Sequence, residues 1–122
     1  MSTTVFAILY VAEDRRSAQF YADHLGLPIL EESPGFAMLA LPNGAMLGLW
    51  IKGGVQPAVT AAPGGSELAL TLPDVAALHA RHQEWAAAGV TILSAPMTMD
   101  FGTSFTAADP DGHRLRMFVP AM

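Results

Sequence analysis

Apolar residues fall on a single parity in four short segments of this chain. Val5, Ala7, Leu9 and Val11 share one parity, as do Leu47, Leu49 and Ile51, then Leu68, Leu70 and Leu72, and finally Leu115, Met117 and Val119. A period of two puts alternate side chains on opposite faces of a strand, so this set is predicted to face helices and core. The other parity is mixed: Phe6, Ile8 and Tyr10; Met46, Gly48 and Trp50; Glu67, Ala69 and Thr71; Arg114, Arg116 and Phe118. A sheet face that is neither plainly polar nor plainly core is what a cupped binding surface presents.

Two stretches carry helical spacing instead. Ala18, Tyr21, Ala22 and Leu25 predict a helix opened by Glu13 or Asp14 and stopped by Gly26. A second is predicted from Asp74 to about Ala88, with Val75, Leu78, His82 and Trp85 on one face and Gly89 as cap. The predicted strands are Val5–Val11, Leu27–Glu31, Phe36–Leu41 and Ala45–Ile51, then Glu67–Leu72, Thr91–Leu93, Thr103–Ala107 and Arg114–Val119. Ser33-Pro34-Gly35 and Pro42-Asn43-Gly44 supply turns, and Met97, Met99 and Phe101 are placed around Asp100 in a loop between strands.

The order of elements occurs twice, and so does one local pattern. Leu41-Pro42-Asn43-Gly44-Ala45-Met46-Leu47-Gly48-Leu49-Trp50 returns as Asp109-Pro110-Asp111-Gly112-His113-Arg114-Leu115-Arg116-Met117-Phe118, each a turn feeding an alternating strand. Self-similarity on this scale marks two copies of one unit, each too small to bury its own face. The expectation is an α+β fold of two β-α-β-β-β repeats forming a cupped mixed sheet in one domain, 1–122. The first module spans 1–52, a Gly-, Pro- and Ala-rich linker 53–66, and the second module 67–122. A groove shared by the modules is the expected seat of function.

Composition narrows the function classes. Of 122 residues, 52% are hydrophobic and 14% charged, more apolar material than a core of this size needs, which favours a subunit interface or an apolar pocket. With six Lys plus Arg and a net charge of −5 there is no basic stripe for nucleic acid. The absence of cysteine excludes disulfides and thiolate chemistry. No apolar run approaches the ~18 residues of a membrane span, and the start of the chain lacks the positive region of a signal peptide, so a cytoplasmic protein is expected.

Leu9-Tyr10-Val11, Arg16-Ser17 followed by Phe20-Tyr21, Leu25-Gly26-Leu27 and Asp109-Pro110-Asp111-Gly112, set in a paired β-α-β-β-β frame, resemble the vicinal oxygen chelate superfamily. That superfamily includes glyoxalase I, extradiol dioxygenases, fosfomycin-modifying enzymes and bleomycin-resistance proteins. The resemblance implies its fold, and for its enzymes a divalent ion held by His or Glu at four points. Those points fall here on Phe6, Gly48, Glu67 and Arg116; two supply no donor and Arg116 is a permanent cation. No metal or other cofactor is therefore expected. Leu47-Gly48-Leu49-Trp50, Ser66-Glu67, Asp100-Phe101-Gly102 with Phe105, and Asp109 to Arg116 look most like the phenazine-antibiotic resistance proteins. That resemblance implies sequestration of a planar aromatic drug in the grooves of a homodimer, by aromatic stacking.

The candidate ligand-binding residues are Phe6, Tyr10, Met46, Gly48, Trp50, Glu67, Phe101, His113 and Arg116. Parity turns Trp50 to the cup, and Gly48 beside it leaves room for a flat ligand. Glu67 and Arg116 are expected to pair across neighbouring central strands, with either a ligand-orienting or a purely structural role. Met97, Met99 and Phe101 suit the rim of an apolar site, with a dimer contact or loop packing as the alternative. His113 is a turn residue, read as lining the ligand only through the resemblance. His24 and His79 are expected on polar helix surfaces, His82 and Trp85 in the core. The expected function is metal-independent capture of a planar aromatic compound, with no catalytic residue. A metal-dependent lyase, isomerase or dioxygenase is the alternative, and an interaction module with a self-filled cup is a third class.

Overall fold

The computed structural model describes residues 3–121. By its internal contacts the chain divides into two compact units, residues 1–61 and 62–122. In the first, β1 (Phe6–Val11), α1 (Asp14–Leu25), β2 (Ile29–Ser33), β3 (Phe36–Ala40) and β4 (Met46–Ile51) follow in order. In the second, β5 (Glu67–Thr71), α2 (Val75–Ala87), β6 (Thr91–Met99), β7 (Gly102–Ala108) and β8 (Arg114–Pro120) repeat it. The fold class is the α+β double repeat that the sequence predicts. Each repeat forms its own four-stranded mixed sheet, ordered β1-β4-β3-β2 and β5-β8-β7-β6. No helix of the described residues is long and apolar enough to cross a membrane.

In the first unit β1 runs parallel to β4, with Phe6, Ile8 and Tyr10 beside Met46, Gly48 and Trp50. The opposite parity meets α1: Val11, Leu47, Leu49, Ala37 and Leu39 are buried against Ala18 and Tyr21 of the helix layer. Each fully buried Leu or Val there contributes about 1.5–3 kcal/mol of hydrophobic stabilisation. Gly26 ends α1 in the left-handed region at φ 66°, and its N–H donates to the Ala22 carbonyl at 3.1 Å. Val5 departs from the expectation: it precedes β1 and is 68% exposed.

The second unit is built the same way. Asp74 caps α2 rather than starting it, its Oδ1 accepting the Ala77 N–H at 2.8 Å. Leu78 and Trp85 of α2 are fully buried over Phe105, Leu115 and Met117. The Trp85 ring meets Phe105 edge-on at 5.5 Å, and the half-buried His82 ring does so at 5.3 Å. Val75, placed on the buried stripe by spacing, sits at the first turn and is exposed. The largest departure is β6, which continues to Met99 where spacing ended it at Leu93. It pairs with β7 through register shifts on either side of Ser94, so Met97 and Met99 are strand residues and only Asp100 and Phe101 turn.

Candidate ligand-binding site

The Asp109-Pro110-Asp111-Gly112 turn sets where β8 begins. The buried Asp109 carboxylate accepts the backbone N–H groups of Asp111 and His113, both at 2.9 Å, and Gly112 takes φ 92°. The turn is thus closed by its own side chain. His113 sits in it half-buried, next to the strand and outside the recess described below.

From that start, β8 lies parallel to β5 with Glu67 opposite Arg114 and Ala69 opposite Arg116. Glu67 and Arg116 are therefore diagonal neighbours on one face, and β5, carrying Glu67, is the outer strand of its sheet rather than a central one. They still meet. Arg116 Nε donates to Glu67 Oε2 at 2.6 Å and Nη2 to Oε1 at 3.1 Å, a two-pronged ion pair. From β7, the Ser104 hydroxyl accepts a third bond from Arg116 Nη1 at 3.0 Å. The hydrogen bond from Arg116 holds the Glu67 carboxyl below its ordinary pKa; the charges of Arg116 and Arg114 add to this, against desolvation. The same hydrogen bond raises the Arg116 pKa. Both groups are charged at neutral pH.

The pair forms one end of an open recess of about 400 Å³. Ala69, Met99, Phe101 and Phe118 supply its apolar walls. Phe101 stands on the β6–β7 turn with its ring edge-on to Phe118 at 6.2 Å, and 47% of it is exposed. Its carbonyl accepts the Ala121 N–H at 2.8 Å, tying the turn to the end of β8. Of the sequence candidates, Glu67, Phe101 and Arg116 are brought together here. Ser104 and Phe118 were missed as site residues; the parity that selects Arg116 also selects Phe118, and that signal was available. A larger recess of about 520 Å³ runs along residues 52–61 but carries no aromatic wall.

The first unit, taken by itself, presents an aromatic face. Phe6, Ile8 and Tyr10 are each 40–45% exposed, and Tyr10 meets Trp50 edge-on at 6.4 Å. Met46 lies on the same face, half-buried beside Phe6. Gly48 is buried, and a Cβ there would stand 3.0 Å from the Phe36 ring. The room left by that glycine is taken by Phe36 of the same unit, where the sequence reading reserved it for a ligand.

A divalent ion finds no fitting donor set at the four points the fold suggests for one. Phe6 and Gly48 offer no ligand atom, Arg116 is cationic, and both oxygens of Glu67 already accept from Arg116. Among the described residues no three His, Asp or Glu side chains gather as metal donors.

Comparison with known proteins agrees with this architecture. The sequence model of the glyoxalase/bleomycin resistance protein/dioxygenase superfamily matches residues 3–117. The chain is 27% identical, over 90% of its length and 86% of the relative's, to the phenazine antibiotic resistance protein EhpR of Enterobacter agglomerans. Among solved structures, protein ATC0852 of Agrobacterium tumefaciens is 43% identical with a TM-score of 0.89, each chain covered in full. A glyoxalase-related enzyme from Fulvimarina pelagi is 25% identical with a TM-score of 0.82, covering 98% of this chain and 88% of that one.

Proposed function

The chain belongs to the glyoxalase/bleomycin resistance protein/dioxygenase superfamily, and from that premise we propose that it captures a small planar aromatic compound without a metal ion, as an antibiotic-resistance protein does. The observation that carries this reading is the recess of residues 67–118: aromatic and Met walls with one charged pair at a single end. Ligand sites are mostly apolar with few polar anchors, and this one has that balance. Aromatic side chains gain about 0.5–1.5 kcal/mol from ring contacts beyond the area they bury, so Phe101 and Phe118 can hold a flat ring system. The similarity to EhpR makes a phenazine-like compound the natural first ligand.

The proposal counts Phe6, Tyr10, Met46 and Trp50 as ligand contacts as well; Gly48, whose space Phe36 fills, and His113, outside the recess, are not among them. It also takes the protein as a cytoplasmic homodimer whose ligand groove is shared between subunits. The exposed apolar side chains of Phe6 and Ile8 support that part. Metal-dependent lyase, isomerase or dioxygenase chemistry is disfavoured by the donor types at positions 6, 48, 67 and 116.

Calorimetric titration with phenazine tests the proposal. Saturable binding with a Kd of about 1–10 μM, weakened about tenfold by Phe101→Ala and by Trp50→Phe, is expected. No saturable heat with the wild-type protein would remove phenazines as ligands. Binding untouched by both substitutions would move the site elsewhere.

A further inference from the structure

The ion pair at the end of the recess restricts what chemical group a ligand can place against it. Arg116 has five N–H donors; one on Nε and one on Nη2 go to Glu67, and one on Nη1 goes to Ser104. Two remain, one on each terminal nitrogen. Glu67 accepts once on each oxygen, and an ionised carboxylate has about four lone-pair sites, so it retains acceptor capacity and has no proton to give. Its side chain is 33% exposed and that of Arg116 22%, so neither is sealed off. The recess thus shows an incoming molecule a donor and an acceptor side by side.

Resting on the reading of this recess as an aromatic-ligand site, we infer that its polar end selects a neutral ligand edge on which a hydrogen-bond donor sits beside an acceptor, as in a primary carboxamide or a lactam, over a carboxylate. An amide edge satisfies both partners at once: its carbonyl accepts from the spare N–H groups of Arg116 and its N–H donates to Glu67. A carboxylate can use only the Arg116 side and must sit beside the Glu67 charge. Like charges placed together at a binding surface are strongly unfavourable. Arg114, opposite Glu67 on the same strand pair, is exposed and outside the recess walls, so solvent and salt screen its pull on a bound anion. The lowered pKa of Glu67 keeps it charged at neutral pH and so maintains the selection.

Calorimetric titration of the full chain with phenazine-2-carboxamide and phenazine-2-carboxylate at pH 7.5 tests this, with unsubstituted phenazine as reference. The carboxamide is expected to bind about tenfold more tightly than the carboxylate. In Glu67→Gln, whose fold is checked by its melting curve, the gap is expected to close to about twofold, chiefly because carboxylate binding improves. Equal binding, or a preference for the carboxylate, in the wild type overturns the inference while leaving aromatic capture intact. So does a tenfold gap that persists in a folded Glu67→Gln. Failure of all three compounds to bind overturns the inference together with the proposed function.

Discussion

Gly102→Ala is expected to lower the stability of the chain by about 3–5 kcal/mol, at the upper end of single-residue effects. Gly102 opens β7 at φ 141°, a backbone conformation that L side chains rarely adopt. A Cβ there would drive into the Val119 carbonyl oxygen and come within 2.8 Å of the Ala121 nitrogen and 2.9 Å of the Pro120 Cα. All three are backbone atoms, so no side chain can rotate away. Relief requires separating β7 from the end of β8, which also loosens the turn that carries Phe101. Gly65→Ala is the control, since its Cβ would meet nothing within 4 Å, and a shift below about 0.5 kcal/mol is expected. Urea unfolding curves measure both. A Gly102→Ala midpoint equal to that of Gly65→Ala would contradict the close approach of β7 and β8.

Arg116→Ala is expected to weaken capture of a phenazine by about 10- to 100-fold, the range for loss of charge-assisted hydrogen bonds. It also leaves Glu67 without its partner, and calorimetry and stability should move together. The pair is partly exposed, so its contribution to stability lies near 1 kcal/mol, between exposed and buried ion pairs. Its pH dependence has a definite sign. The folded pKa of Glu67 lies below the ordinary value of 4.5, so the pair's stabilisation is complete above that value and fades as pH falls through the lower folded one. The stability difference between wild type and Arg116→Ala should therefore be constant near neutrality and shrink in acid below about pH 4.5. A difference that grows on acidification would contradict the pairing.

Those two residues also mark where sequence reasoning reached and where it stopped. Alternation legibly separated Leu47, Leu49, Leu115 and Met117 from Trp50, Glu67 and Arg116, because a period of two leaves no other choice of face. It could not supply register: Glu67 and Arg116 share a face by parity, but their diagonal meeting depends on Glu67 lying opposite Arg114. The extension of β6 beyond Leu93 runs through Pro96, a residue that ordinarily interrupts a strand. Proline is tolerated there because β6 is an outer strand of its sheet, with its register shifted between Ser94 and Met97. Gly48 announced missing volume without saying what fills it, and Phe36 does. Val75 obeyed helical spacing yet lies in the first turn of α2, exposed. The constraint on Gly102 comes from the closing of β7 on β8, a long-range contact that no local pattern carries.

Capture without a metal and without conversion of the ligand is the central claim, and equilibrium dialysis against phenazine after exhaustive chelation tests it most directly. Chelated protein should retain phenazine as well as untreated protein does, added zinc or manganese should not increase retention, and denaturation should release the compound with unchanged mass. Retention that requires an added divalent ion, or release of a chemically altered product, would contradict the account and indicate a metal-dependent enzyme.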